Sequence, residues 1–311
     1  MVHTGAHVYS QYDFESTFGG GDASLTKVLG MDERITSFVT QNNQIVVPQL
    51  NSVEIAAFAY GQEFKRLSED WVLSNPWWLE LLLNDRVTTG AGPFTHTYTV
   101  LKTVKSFEME IGLEAETANV VRNLKGCVLN SVTIRGGMNE LTRCTGEILC
   151  GKEDAPSTVL ESSPPSDDLA FPYTFVHGTL KLIASGSVVA ELQSMELTIN
   201  QNAELVYGHG SKVATGAFRR IFEITGRFNA SMVDKTQLQR VLDRAELADI
   251  ELKFSNGLAG VSEKSITLTG TGVGVSEHSY AAAGVDPVFE DLIWQIRSLT
   301  VVAVNNISAP P

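Results

Sequence analysis

Basic residues, sulfur and long apolar runs are all scarce in this chain, and each shortage removes a class of protein. Lys and Arg number 23 against 36 Asp and Glu, a net charge of −13. A protein that grips nucleic acid by its phosphates needs clustered cations. Here they are scattered, as in Arg219-Arg220 and in Lys102 with Lys105. An acidic protein can still let DNA pass without sticking, although net charge alone speaks mainly to solubility. The cysteines are Cys127, Cys144 and Cys150, with no CxxC spacing. An odd count without an export signal points to buried, reduced thiols, with a Cys144–Cys150 disulfide as the alternative. No apolar run approaches the ~20 residues that span a bilayer. Met1 to Gly20 lacks the basic start and apolar block of a signal peptide.

Chemical motifs are missing too. There is no P-loop, GxSxG, HExxH, EF-hand or zinc spacing. The histidines (His3, His7, His96, His177, His209, His278) are dispersed. Only His3 and His7 lie close together, where a frayed terminus explains them better than a metal site with converging ligands. Gly270-Thr-Gly-Val-Gly274 lacks the third glycine and following helix of a dinucleotide loop, and reads as strand. Glu108, Glu110 and Glu114 have the spacing of a polar strand face, which needs no acid–base pair to explain it. No catalytic, metal or cofactor site is expected, and the protein reads as a non-enzyme.

What is present is β-structure, in amounts that suit two domains. At 311 residues the soft prior is about two. With 43 % hydrophobic and 19 % charged residues a sizeable core follows. Leu129-Asn-Ser-Val-Thr-Ile134 returns as Leu192-Gln-Ser-Met-Glu-Leu197, each followed by a turn and later by a Thr-Gly pair, Thr145-Gly146 and Thr225-Gly226. Phe94 to Tyr98 is echoed by Phe171 to Phe175. Residues 1–30 read as an extended arm, which a neighbour would order. Segments 35–40 and 44–60 read as extended. Asn75 as cap and Pro76 in the first turn predict a short, buried, Trp-rich helix. From Phe94 the period becomes two: Phe107, Met109, Ile111 and Leu113 alternate with polar residues. The Pro- and Ser-rich stretch 156–170 reads as a linker. Beyond it, strands flank a helix over 235–245 that opens at Asp234 and carries Leu238, Val241, Leu242 and Ala245 at helical spacing.

Ser106-Phe-Glu-Met-Glu-Ile-Gly112, Leu124-Lys-Gly-Cys-Val-Leu-Asn-Ser-Val-Thr-Ile134 and Cys144-Thr-Gly-Glu-Ile-Leu149 together resemble the tail tube (major tail) proteins of long-tailed phages and related tailed viruses. The likeness is clearest over residues 94–154 and fainter over 171–304. It implies a mainly-β fold, a β-barrel or sandwich with a flanking helix. Two tail-tube-like units would stand in tandem, at 31–155 with the Trp-rich helix and at 171–311. It implies rings of this chain, trimers with pseudo-sixfold symmetry, stacked in a virion tail, with a non-contractile tail the favoured setting. Assembly would occur in the host cytoplasm, beside tape-measure, terminator and distal-tail proteins, and viral DNA would transit without specific binding. Glu108 and Glu110 become candidates for an acidic lumen wall. Tyr12, Phe14 and Phe18 in the arm become candidate inter-ring contacts. Two alternatives stand: another tail component (baseplate, distal-tail or terminator ring), or a carbohydrate-binding β module using Trp71, Trp77 and Trp78 as a stacking platform.

Overall fold

The computed structural model describes residues 6–21, 23–48, 55–115, 118–166, 172–182, 186, 188–189, 192–232, 236–281 and 288–309. His3, residues 167–171, Asp234 and Lys235 lie outside them, as does the side chain of His7.

The fold is mainly β. In chain order the elements are β1 (Ala6–Phe14), β2 (Met31–Pro48), β3 (Ile55–Val72), α1 (Leu79–Leu83), β4 (Asn84–Thr89), β5 (Phe94–Val100), β6 (Phe107–Glu114), β7 (Val120–Gly137) and β8 (Arg143–Glu153). There follow β9 (Thr179–Lys181), β10 (Leu192–Asn200), β11 (Ala203–Tyr207), β12 (Ala214–Arg219), β13 (Glu223–Ser231), α2 (Thr236–Asp243), β14 (Leu247–Ser255), β15 (Ser265–Ala281) and β16 (Phe289–Asn305). The expected arm is therefore in part a strand of the body, because β1 pairs along β6.

One antiparallel sheet runs β2-β3-β8-β7-β10-β13-β16-β15-β14-β9. The first half of β7 pairs with β6 and its second half with β10. The two halves of β16 likewise pair with β13 and β5. These splits let the sheet wrap one continuous apolar core drawn from strands of both chain halves and from α1. Inward positions alternate with outward ones, as in β10, where Met195, Leu197 and Ile199 are buried between polar neighbours.

Two strand sets share one pairing order. The first is β1-β6-β7-β8-β3-β2 and the second β9-β14-β15-β16-β13-β10. In each, a helix follows the third strand of the set in chain order. The irregularities match as well. A bulge at Asn130, between Leu129↔Ile148 and Ser131↔Glu147, has its counterpart at Ser276, between Val275↔Trp294 and Glu277↔Ile293. Gly126 and Gly272, at the same offset, both have positive φ (60° and 64°).

This correspondence differs from the one suggested by the repeated phrase. Leu129–Ile134 and Leu192–Leu197 lie on β7 and β10, adjacent strands that run in opposite directions. They look alike because both present the same face pattern to one core. The Thr-Gly pairs have a packing cause. Trp71 covers Gly146 and Trp294 covers Gly226, so that any Cβ at either glycine would run into an indole ring.

The expected short helix forms but starts later, at Leu79 with Trp78 as its N-cap, and Asn75 Oδ1 accepts the Trp77 amide at 3.1 Å in the turn before it. The far end of α1 is held from the separate β11–β12 ribbon and the turn that leads into it. Arg219 on β12 donates to the Leu82 carbonyl at 2.7 Å and to that of Leu101 at 2.6 Å, and Gln201, just after β10, donates to the Leu81 carbonyl at 3.5 Å.

Candidate assembly surfaces

Four surfaces of the described residues can be assigned work. The first is the far half of the β2–β3 hairpin. β3 leaves its partner β8 at Lys65↔Cys150. The last contact with the body is at Glu63, whose amide donates to the Lys212 carbonyl at 2.8 Å. From there to Ile55 the ribbon continues unsupported for roughly 25 Å at ~3.3 Å per residue. Ile45, Val46 and Val47 are consecutive and all exposed, so both faces of the ribbon are apolar there. On the facing strand Phe58 (52 % exposed) stands opposite Val46, while Tyr60 (70 % exposed) and Ile55 face Gln44 and Pro48. A two-stranded ribbon with no core beneath it is at best marginal in water.

The second surface is a pair of unfilled strand edges. Among the described residues, β2 pairs only with β3, and β15 pairs with β14 only as far as Val273. Unpaired edges of this length are templates for another chain.

The third surface is the polar face of the sheet. Asp70, Thr145, Thr133, Thr198, Thr225 and Gln295 stand side by side on β3, β8, β7, β10, β13 and β16. The Thr133 and Thr198 hydroxyls meet at 3.0 Å. Ion pairs cross this face, among them Arg135 with Glu196 at 2.9 Å, Arg66 with Glu147 at 2.7 Å, and Arg143 with Asp32 at 2.8 Å. Hydrogen bonds from both Arg143 and Arg34 hold the Asp32 carboxyl below its ordinary range.

The fourth surface is the seat of the N-terminal strand. Tyr12 is 1 % exposed and meets Phe107 edge-to-face at 5.7 Å, inside its own chain's core. Phe14 is half-buried under Lys105 and Lys27, and Phe18 rests on Gly126 and Gly151 beside Leu149. The same segment covers Glu108 and Glu110 on β6, while Glu114 is exposed. Glu110 accepts from the Tyr9 hydroxyl at 2.7 Å and from Gln11 at 2.9 Å. Glu108 is 7 % exposed, with the Ala23 amide at 3.4 Å and Lys125 at 3.9 Å. Burial pushes the Glu108 carboxyl above its usual range, against the opposing pull of Lys125.

Ser10 ties this strand to the β2–β3 hairpin through two acids. Its hydroxyl stands at hydrogen-bond distance from both Glu69 Oε1 and Glu33 Oε2, the latter at 2.7 Å. A hydroxyl has one proton to give, so one of these two bonds must be donated by a protonated carboxyl. Glu33 Oε1 also accepts the Leu29 and Gly30 amides at 2.5 and 3.1 Å, so both of its oxygens hold partners. Glu69 is wholly buried and its Oε2 has no partner. Burial and the neighbouring Glu33 drive its carboxyl well above the ordinary range, so Glu69 carries the proton.

Trp71, Trp77 and Trp78 are buried, and Trp71 packs edge-to-face on Trp78 at 5.7 Å. This corrects the stacking-platform alternative, since a sugar cannot reach these rings. The thiols are also arranged differently from the disulfide considered above. Cys127 faces Cys150 across β7 and β8, Sγ to Sγ 2.7 Å, while Cys144 lies elsewhere in the core. Among the described residues no group of three His, Cys, Asp or Glu side chains converges to hold a metal ion. No helix among them is long and apolar enough to cross a membrane.

A mainly-β body, a projecting apolar ribbon and open strand edges describe a part of a larger object, and one comparison says which. The family model for the phage tail tube protein matches residues 5–292. The chain belongs to the phage tail tube family. No curated protein matches it. Membership makes it a structural component of a virion tail. The match runs from just ahead of β1 into the first residues of β16.

Proposed function

We propose that this chain polymerises with copies of itself into stacked rings that form the hollow tail tube through which viral DNA passes to the host. The two strand sets act as tandem tail-tube units, so that three chains make a ring of six. The observation that carries this reading is the β2–β3 overhang. Its apolar residues have no body of their own to cover them, and a neighbouring ring supplies one. Burying an aliphatic or aromatic side chain of this kind contributes ~1.5–3 kcal/mol, so a few of them suffice to drive stacking.

The threonine row and its matched ion pairs form the channel wall in this reading. Hydroxyls and mutually neutralised charges offer DNA no array of free cations, so phosphates find nothing to hold. Glu108 and Glu110 are not part of that wall, because the N-terminal segment covers them. They seat β1, and Tyr12 belongs to the same seat. Tape-measure, terminator and distal-tail proteins are the partners at the tube ends, and assembly takes place in the host cytoplasm before release in the virion. Sedimentation of the purified chain across a concentration series, with negative-stain microscopy of the heavy fraction, tests the reading. Rings or tubes with a stain-filled centre are expected, and a monomer at every concentration overturns it.

A further inference from the structure

The chain contains one worked example of how two strand sets join, and it leaves the two halves of a second such joint empty. In the filled joint, β10 lies antiparallel on the second half of β7, from Ser194↔Gly137 to Asn200↔Ser131. Thr198 stands opposite Thr133 and Leu197 opposite Ile134, with both apolar side chains buried. The shared pairing order makes β2 the counterpart of β10 and β15 the counterpart of β7. β2 and β10 sit four places apart in an all-antiparallel sheet and so run the same way, as do β7 and β15.

The register follows residue by residue. Cys150 and Ile296 are counterparts at the offset of the matched bulges, and they face Lys65 and Ile224. Lys65 faces Thr40 and Ile224 faces Ile199, which aligns Phe38, Val39 and Thr40 with Leu197, Thr198 and Ile199. The bulges at Asn130 and Ser276 align Val132, Thr133 and Ile134 with His278, Ser279 and Tyr280. These are the residues whose outer edges are unfilled among the described residues. Tyr280 is 59 % exposed where its counterpart Ile134 is 1 % exposed. The helices agree: α2 lies against β15 as α1 lies against β7, and α1 leaves room for β10.

We infer that β2 of one copy pairs antiparallel with the second half of β15 of the next, Val39 opposite Ser279, Phe38 opposite Tyr280 and Thr40 opposite His278. The inference rests on the tube reading and names the joint within a ring. The contact is head-to-tail, and it repeats between chains the turn already made between the two strand sets, which is how such contacts close into a ring.

The test uses the full chain with Val39→Cys and Ser279→Cys together, its own thiols being buried. Mild oxidation of assembled particles should give a covalent ladder on a non-reducing gel and a 39–279 linked peptide, with neither single variant doing so. In the unmodified chain, backbone amides of 37–41 and 277–281 should exchange about tenfold more slowly or better once assembled, the equivalent of ~1.4 kcal/mol. Particles that lack the 39–279 link, or in which Val39→Cys with Glu277→Cys links as readily, overturn this register. Unchanged exchange in assembled particles does so too. If the unmodified chain forms no particles at all, the tube reading itself falls and takes this joint with it.

Discussion

Replacing Glu69 by Gln should stabilise this protein at neutral pH, although the carboxyl lies in the core beside a hydrogen-bonding serine. The folded chain holds Glu69 protonated for two reasons: the carboxyl is wholly buried, and its oxygen shares Ser10 with the charged Glu33. Other groups facing it are Asp70, whose charge also favours the neutral form, and Ser10 itself, which pulls the other way. An unfolded glutamate titrates near ~4.3. Between that value and the raised folded one, the native state holds a proton that the unfolded chain has released. Stability from this group is therefore complete below the unfolded value and drains away as pH rises towards the folded one. Each pH unit inside that window costs ~1.4 kcal/mol. At about 2 °C per kcal/mol for a chain of this size, each such unit lowers Tm by roughly 3 °C. Glutamine mimics the protonated acid and has no proton to lose. Thermal unfolding of dilute Glu69→Gln and unmodified protein should give similar Tm values at pH 5 and a higher value for the variant at pH 7. Parallel Tm profiles, or a variant less stable at both pH values, would refute the shared-proton arrangement.

Three further outcomes are expected. Gly226→Ala forces a methyl into the Trp294 ring and should lower stability in urea by ~1–3 kcal/mol, part of which Trp294→Leu restores. Ile45→Ser with Phe58→Ser removes exposed apolar groups from the overhang. Monomer stability should stay within about 0.5 kcal/mol per site while light scattering shows assembly lost, whereas normal tubes would deny the ribbon its role. Prolonged oxidation of the folded chain by a small diffusible oxidant should link Cys127 to Cys150 and spare Cys144. Digestion with trypsin and a Glu-specific protease separates Cys144 from Cys150 at Glu147, and a Cys144 link would contradict the observed facing.

Local structure was legible wherever one face of an element meets the core. The alternation in Phe107, Met109 and Ile111 marked β6; Asn75-Pro76 marked the turn that leads into α1, whose first residue is Leu79. On β6 the acidic face meets water at Glu114 but is covered at Glu108 and Glu110, and hydropathy cannot see one polar surface covering another. Gln11 and the Tyr9 hydroxyl lie over Glu110, and both look like surface residues in the sequence. The N-terminal segment was misjudged in the same way: Tyr9, Tyr12 and Phe14 are aromatic enough to pack, but their partners are a hundred residues away on β6. The correspondence between strand sets was hidden for a different reason. Val120–Gly137 and Ser265–Ala281 share a bulge and a positive-φ glycine but few side chains. Pairing geometry repeats there while residue identity does not.

Reconstruction of assembled particles by electron cryomicroscopy tests the central claim most directly. The account predicts six similar sheet units around a central channel, with the 55–62 ribbon of each chain seated against a neighbouring ring. A closed globule of one chain, with that ribbon bare in solvent under assembling conditions, would contradict it.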